Sequence, residues 1–417
     1  MTVPDAAGAW AGSGVVPLTG REDGPPLLPP GRAAAVAGEL ATRLAALTSD
    51  GPHPVVLDGA RLLSERAAFT GHRRRGTVSA GGSCRLLPTA DGWAAVSCAR
   101  PDDPALLGAL VGADTGDDPW PAVAGWLREH TGAELAERAG LLGVAAGPVC
   151  HPAARPAPVP VPVPAATRGV AGLLVVDFSA LWAGPLCAHL LGLAGARVVK
   201  VETPHRPDGA RRGDPGFYRL LHAGHRSVVL DPGTTAGRRA LAALVEAADI
   251  VIEASRPRAL ARWGLDAEAA AAAGTVWVSI TAYGRGTDRI GFGDDVAAAS
   301  GLVARDAEGT PLFCGDAIAD PLTGLTAAIL AMAAPADGTG VVWDLAMSEV
   351  VAATLPPAAE TPARSPAARP LDGGWVADTP YGPVPVAVPR RRRPAGRAAE
   401  SGEHTAQVLR ELRIPVP

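Results

Sequence analysis

Asp320 is the residue of this 417-residue chain whose type and surroundings most favour chemistry. It precedes Pro321 and an apolar run, so one interpretation is a helix N-cap, because aspartate followed by proline commonly starts a helix. The second interpretation is a nucleophile. The positive end of a helix keeps a carboxylate ionised, and an ionised carboxylate in a cleft can attack a carbonyl carbon. The two interpretations are compatible.

The sequence lacks the motifs of several other reaction classes. It contains no G-x-S-x-G, no Walker A loop and no H-E-x-x-H. The dinucleotide fingerprint G-x-G-x-x-G is also missing, which disfavours a nicotinamide enzyme. The five cysteines form no CxxC pair, and we interpret the pair His222 and His225 as ordinary surface or loop residues rather than metal ligands. We therefore expect no metal site.

The composition, 47% hydrophobic and 19% charged with a net charge of −4, excludes a wholly disordered chain. The slight acidity gives no reason to expect a nucleic-acid or membrane partner. The run Arg390–Arg393 is interpreted as solvated. We find no signal peptide and no continuous apolar run long enough for a membrane span, so we expect a cytoplasmic protein.

The pattern that must position Asp320 is an alternation of strands and helices from 169 to 350. Apolar strand-like runs such as Gly172–Phe178 and Arg197–Glu202 alternate with helical segments such as Pro185–Leu193. The pattern predicts an α/β fold, with a Rossmann-like doubly wound, mostly parallel sheet domain and a smaller α+β domain. Ligands bind such sheets beyond the carboxyl ends of the strands.

The domain organisation follows from composition shifts, above all the proline-rich run in Pro152–Pro164, which favours an extended spacer. The sequences of Ser13–Val16 and Ser300–Val303 are similar. One interpretation is that the first segment is a remnant of a duplicated large domain. We predict an N-terminal segment, a small α+β domain, a proline-rich linker, a Rossmann-like domain that contains Asp320, and a C-terminal tail returning to this large domain, at 1–58, 59–151, 152–168, 169–350 and 351–417.

Five ordered segments carry a family resemblance, at 175–204, 225–231, 248–266, 278–284 and 315–331. Together they resemble the family III CoA-transferases, a family that includes formyl-CoA and carnitine CoA-transferases and 2-methylacyl-CoA racemases. The resemblance implies coenzyme A as part of an acyl-CoA co-substrate, a carboxylic acid as second substrate, and a homodimer.

The resemblance also assigns residues. Asp320 occupies the place of the family's nucleophile, which forms a mixed anhydride and then an aspartyl-CoA thioester that passes CoA to the second acid. The contacts with CoA are implied for a further set of positions, namely Leu181, Trp182, Ala183, Leu230, Ala254, Ser255, Arg262 and Met347.

Two alternatives stay open because the chain departs from the family pattern. A segment resembling the family's small domain comes first here, and little lies between Met347 and the family-like ending at 402–409. This order motivates a non-catalytic CoA-binding homologue. A 2-methylacyl-CoA racemase is the other alternative, but the loop at 291–295 lacks the histidine that the racemases use, which favours transfer.

Overall fold

Helices and strands alternate along most of the chain. The computed structural model describes residues 5–155, 159–254, 257–334 and 339–417. Up to residue 155 the elements are α1 (Ala6–Ser13), α2 (Ala33–Thr48), α3 (Gly59–Leu62), α4 (Glu65–Thr70), β1 (Cys84–Pro88), β2 (Trp93–Ser97), α5 (Asp103–Val111), α6 (Trp120–Glu129), α7 (Gly132–Leu142) and β3 (Ala146–Pro148).

The middle of the chain holds half of the described strands. From residue 159 to 334 the elements are β4 (Leu174–Asp177), α8 (Ala183–Leu193), β5 (Arg197–Glu202), α9 (Pro215–His222), β6 (Arg226–Val229), α10 (Thr235–Glu246), β7 (Ile250–Glu253), α11 (Pro257–Ala261), α12 (Ala267–Ala272), β8 (Val276–Thr281), α13 (Gly293–Ala299), β9 (Val303–Arg305), β10 (Pro311–Phe313) and α14 (Ala319–Ala331). From residue 339 onward they are β11 (Val341–Ala346), α15 (Met347–Ala352), β12 (Arg369–Leu371), β13 (Gly374–Thr379), β14 (Gly382–Pro385) and α16 (Thr405–Glu411).

Six parallel strands form the main sheet, in the order β11-β8-β7-β4-β5-β6. Numbered along the chain this order is 3-2-1-4-5-6, that of doubly wound nucleotide-binding sheets. Strands such as LVVD and VWVSIT are nearly all apolar because helices cover both faces of the sheet. The predicted α/β fold with a parallel sheet is confirmed.

The strand order fixes where a ligand can bind. The order reverses between β4 and β7, and in sheets of this kind ligands occupy the crevice outside the carboxyl ends at that point. The loops after β4, β7, β8 and β11, which are neighbours in the sheet, all begin at this edge.

A small antiparallel sheet, β1-β2-β3, lies in the N-terminal part of the chain. Its first two strands meet at the predicted Asp91-Gly92 turn, and α5, α6 and α7 enclose its own apolar core around Leu107, Leu127 and Leu135. This is the smaller α+β unit that the sequence predicts. Helices α6 and α7 are separated at His130 and Thr131, where a capping box at Thr131 starts α7 anew.

The first helices pack on the main domain. Trp10 and Leu44 from α1 and α2 share one apolar core with Leu186 of α8 and Leu325 of α14. The N-terminal segment and the parallel sheet therefore enclose a common hydrophobic interior.

The C-terminal residues also return to the main sheet. Val408 and Leu409 of α16 join the apolar cluster that contains Val228 of β6. The prediction that the run Arg390–Arg393 is solvated is wrong for Arg392, whose guanidinium pairs with the buried Glu65. Within the described residues no helix combines the length and the apolar character of a membrane-spanning segment.

Candidate active site

Asp320 lies in the first turn of α14 and is partly buried. The helix starts one residue earlier, at Ala319, with Ile318 in the N-cap position, so Asp320 is not the cap that the Asp-Pro pair indicated. The turn before the helix is held by a hydrogen bond from the Ala317 N–H to Oδ1 of Asp294, 2.8 Å long. Ala317 has a φ of +48°, and this bond stabilises that left-handed conformation.

Burial raises the pKa of the Asp320 carboxyl group to about 7. Arg66 opposes this rise as a nearby positive charge, Asp294 and Asp316 reinforce it as negative charges, and the backbone of Ala183 lowers the pKa through a hydrogen bond. The carboxyl group therefore changes ionisation close to neutral pH. A carboxylate that is poorly solvated yet ionised is a better nucleophile than one in open water.

Asp316, at the start of the same turn, is fully buried and carries the strongest ion pair of the site. Arg66 of α4 donates from Nε to Oδ2 at 2.9 Å and from Nη2 to Oδ1. His72 Nδ1 lies 3.2 Å from the same Oδ2. Arg66 and His72 together hold the pKa of Asp316 well below its usual range, against the opposing effect of burial.

Asp294 and Asp295 begin α13 and are both buried. Burial raises the pKa of Asp294 to about 6 and that of Asp295 to about 7. Ser97 Oγ of β2 donates to Asp295 Oδ1 at 2.7 Å, whereas Oδ2 of Asp295 has no hydrogen-bond partner in the described structure. Together with Asp316 and Asp320, these residues form a cluster of four carboxyl groups.

A cavity of about 280 Å³ opens beside the Asp320 carboxyl group at the carboxyl edge of the sheet. Four of the predicted CoA-contact positions line it, each following a different strand or opening the next helix: Leu181, Ala183, Ala254 and Met347. The structure thus brings these four together with Asp320, although they lie up to 166 positions apart in the chain.

The other predicted contacts lie elsewhere. Trp182 is buried behind the cavity, where its ring meets Phe217 edge-on at 5.2 Å between centroids. Leu230 is buried in the core on the β6 side of the sheet. Arg262 is exposed and lines a neighbouring cleft of about 450 Å³, which shares Arg206 and Ala259 with the first cavity. Ser255 lies outside the described residues.

The loop that carries Leu181 is held by the chain's one lysine. Leu181 has a φ of +69°, a conformation that side-chain-bearing residues rarely adopt, and its N–H donates to Asp208 Oδ1 at 3.0 Å. Lys200, which is buried, pairs with Asp208 at 2.9 Å and donates to the Ser179 carbonyl at 2.7 Å. We infer that Lys200 supports the loop rather than contacting a ligand.

Sequence reasoning missed the arginines of this site. Arg100 and Arg289 line the cavity, and Arg66 lies behind Asp320. Arg66 and Arg100 come from the N-terminal part of the chain, so neither periodicity nor any short motif linked them to Asp320. Arg289 lies in the glycine-containing loop 284–293, two residues before the segment 291–295 that the sequence analysis considered.

The structure corrects the prediction for the two histidines. His222 and His225 are buried rather than at the surface, and burial lowers the pKa of both, that of His225 to about 3. Their rings meet edge-on at 5.7 Å. In the described parts of the chain, no group of three or more His, Cys, Asp or Glu side chains is placed to hold a metal ion.

Comparison with known proteins supports the family resemblance that the sequence motifs indicate. The family model described as CoA-transferase family III matches residues 170–380. The succinate–glutarate CoA-transferase of Agrobacterium fabrum is 30% identical over 210 residues, which cover 45% of this chain and 52% of that protein. The formyl-CoA:oxalate CoA-transferase of Rhodopseudomonas palustris is 31% identical over 176 residues, covering 39% and 41%.

A solved structure is also similar. The CAIB/BAIF family protein from Brucella suis has 26% sequence identity and a TM-score of 0.45, over 52% of this chain and 65% of that one. The chain spans about half the length of the curated relatives it matches.

Proposed function

The chain belongs to CoA-transferase family III, and from that premise we propose that it moves CoA from an acyl-CoA to a carboxylic acid with Asp320 as the nucleophile. The observation that carries the proposal is the Asp320 carboxyl group itself. It titrates near neutral pH at the edge of a cavity formed after four neighbouring strands. The homodimer implied by the family resemblance stays a prediction.

The proposed reaction needs no external acid or base in its net balance. An Asp320 oxygen attacks the thioester carbon, the C–S bond breaks, and CoA leaves as thiolate from a mixed anhydride. The thiolate attacks Cγ of Asp320, which releases the donor acid as carboxylate and leaves an aspartyl-CoA thioester. The acceptor carboxylate then attacks Cγ and expels the thiolate, which takes the acyl group and restores the Asp320 carboxylate.

Within this proposal, Ala183 and Arg66 tune the nucleophile from two sides. Both lower the pKa of Asp320, so that a useful fraction is ionised at neutral pH in spite of burial. The same cavity limits access of water, which would hydrolyse an anhydride or thioester intermediate.

The two adjoining cavities give a path for CoA. Leu181, Ala183, Ala254 and Met347 would contact the thioester arm beside Asp320. Arg262, in the neighbouring cleft, would pair with a CoA phosphate, for which a planar guanidinium is well suited. Trp182 and Leu230 are buried outside both cavities, so their contacts with CoA stay predictions, as does that of Ser255.

The substrates are proposed at the level of class. The donor is an acyl-CoA and the acceptor a carboxylic acid, and the names of the similar relatives include succinate, glutarate, malate and oxalate. Short dicarboxylic acids and their CoA thioesters are therefore the first candidates to test.

Transfer is favoured over the racemase alternative by the lining of the cavity. No described residue that lines it is a histidine, and Phe292 and Ile290 stand in the loop where the racemases carry one. A 2-methylacyl-CoA racemase would exchange the α proton with heavy water, and a non-catalytic CoA-binding homologue would bind CoA without forming an adduct.

The test is to trap the covalent intermediate. We expect wild-type protein, incubated with succinyl-CoA or formyl-CoA and quenched with hydroxylamine, to carry a hydroxamate on Asp320 in a mass-spectrometric peptide map. Asp320→Asn is expected to abolish the adduct while keeping CoA affinity, because the amide is no nucleophile. Asp117→Asn, the same replacement at an exposed position, serves as the control.

Three results would redirect the assignment. A hydroxamate on another residue would reject Asp320 as the nucleophile. CoA binding without any adduct across the panel would support the non-catalytic homologue. Deuterium uptake at the α carbon of 2-methylacyl-CoA would support the racemase.

A further inference from the structure

We propose that Arg66 is a positioning residue for Asp320: it locks the turn that bears the nucleophile and supplies the positive charge that keeps the carboxylate reactive. The proposal rests on the proposed nucleophilic role of Asp320. Arg66 lies in α4, outside the residues 170–380 that the family model matches, so the family assignment does not cover it.

The first observation is the double hydrogen bond between Arg66 and Asp316. Asp316 has no exposed surface, and Asp320 follows it by one helical turn. A guanidinium that donates twice to one carboxylate fixes orientation as well as distance. Arg66 therefore holds the start of the turn 315–318 in one orientation, and Asp320 comes directly after that turn.

The second observation is that Arg66 also contacts Trp182, the residue that precedes α8. Its guanidinium carbon lies 5.1 Å from the centroid of the Trp182 ring. Trp182 immediately precedes Ala183, whose backbone makes a hydrogen bond with the Asp320 carboxyl group. One side chain thus contacts both segments that flank the nucleophile.

The third observation is the balance of charge around Asp320. Asp294 of α13 and Asp316 of the turn face it as negative groups, and Asp295 lies next to Asp294. His72 faces Asp316 and Asp294. Arg66 is the positive group that lowers the pKa of Asp320 directly, against the burial and the two aspartates that raise it.

The position of α4 is itself fixed from its other face. Glu65, next to Arg66, is buried and accepts hydrogen bonds from the guanidinium and the backbone N–H of Arg392. Arg392 also lies 3.2 Å from Nε2 of His189 in α8. These contacts fix the position of Arg66 relative to the loop that carries Trp182 and to the turn 315–318.

The experiment compares two variants that break the same ion pair from opposite ends. Arg66→Gln removes the positive charge, and we expect the Asp320 pKa to rise by about 1.3 units. Asp316→Asn removes a negative charge and leaves Arg66 free to face Asp320, so the pKa is expected to fall. A purely structural ion pair would give both variants the same kind of defect.

Two readouts are measured on the full chain. The first is the pKa of Asp320 from the ¹³C NMR titration of aspartate-labelled protein, with the resonance assigned by its absence in Asp320→Asn. The second is the rate of hydroxamate formation with succinyl-CoA between pH 6 and 9. For Arg66→Gln we expect trapping about 10-fold slower at pH 7 and largely restored at pH 9.

Two further variants serve as controls. Arg66→Lys keeps the charge but not the double hydrogen bond to Asp316, so we expect the Asp320 pKa to stay near the wild-type value while part of the trapping rate is lost. Arg74→Gln removes an arginine of the same segment that binds only the carbonyl groups of Pro17, Arg21 and Gly24, and it should change neither readout. If Arg66→Gln does not fold, the lysine variant and Asp316→Asn still decide the question.

The outcomes separate this proposal from the one it rests on. Shifts of the same sign in Arg66→Gln and Asp316→Asn, or equal losses of trapping at pH 7 and pH 9, would overturn the role of Arg66. If wild-type protein gives no adduct at all, the nucleophilic role fails, and the positioning of a nucleophile by Arg66 fails with it. An adduct on wild type with opposite pKa shifts supports both.

Discussion

At the scale of single residues, four carboxyl groups lie in one cluster at the candidate active site but differ in their pKa values. Asp316 is held ionised by Arg66, whereas the pKa values of Asp294, Asp295 and Asp320 are raised by burial. The sequence identified Asp320 from its place before a helix. It could not supply this electrostatic difference, because the deciding cation lies 250 positions from Asp316 in the chain.

The raised pKa of Asp320 has a thermodynamic cost that can be measured. The ordinary value is 3.8 and the value in the folded protein is about 7, so the folded state binds the proton more tightly and stability falls as the pH rises through this window. We predict that Asp320→Asn melts about 2–5 °C higher than wild type at pH 8. At pH 5, which lies above the ordinary value of 3.8 but below the folded value of about 7, the difference should fall to about a third of that at pH 8.

Thermal melts at the two pH values test this sign. Asp117→Asn, at an exposed site, should show no pH-dependent difference from wild type. A melting temperature of Asp320→Asn below that of wild type at pH 8 would show that the carboxylate stabilises the fold, contrary to the argument.

At the scale of elements, the sequence predicts the central strands of the main sheet, but it does not predict the edge strand β11 or the strands β12 to β14. The buried runs of β4, β5, β7 and β8 are apolar because both faces are covered, and their positions matched the sequence pattern within about two residues. Strand β11 was missed because it is a half-exposed edge strand that contains Asp344. The strands β12 and β14 are short, largely exposed and contain proline, so they give no periodic signal.

The contact between the starts of α13 and α14 yields an element-scale prediction. Gly293 opens α13 so close to α14 that a Cβ atom there would overlap Asp320 Oδ2 and lie 2.6 Å from the Ala317 carbonyl oxygen. We predict that Gly293→Ala displaces the carboxyl group and slows hydroxamate formation about 100-fold, the order expected for a misplacement of about 1 Å.

The preceding loop offers a matched control for this variant. A methyl group added at Gly286 would meet no described atom within 4 Å, so Gly286→Ala should form the adduct at the wild-type rate. Circular dichroism of both variants checks that the fold is kept. Unimpaired trapping by a folded Gly293→Ala protein would refute the close packing of the two helix starts.

At the scale of the whole molecule, the parts before and after the proline-rich stretch differ in sequence pattern but share one hydrophobic core. Trp10 and Leu44 from before the stretch pack into the same interior as Leu186 and Leu325 from after it. The N-terminal part also supplies Arg66 and Arg100 to the active-site region. The predicted domain boundaries therefore stay predictions, whereas the shared core is an observation.

The shared core predicts how the chain behaves when it is cut. A protease site inserted within 159–164 should give two fragments that elute together from a size-exclusion column and unfold in one transition, because separation would expose a large apolar surface. Residues 159–417 expressed alone should aggregate. Fragments that separate and stay folded would show that the two parts are independent domains.

The pairing of Arg66 with Asp316 also has a consequence for synthesis. The partners are 250 positions apart, and a ribosome that adds about 5–20 residues per second needs about 12–50 s to travel between them. For that interval α1, α2 and α4 have left the ribosome while the helices that cover them do not yet exist. The nascent chain must keep these apolar surfaces from other chains until α14 has been made, so the candidate active site cannot form before that point.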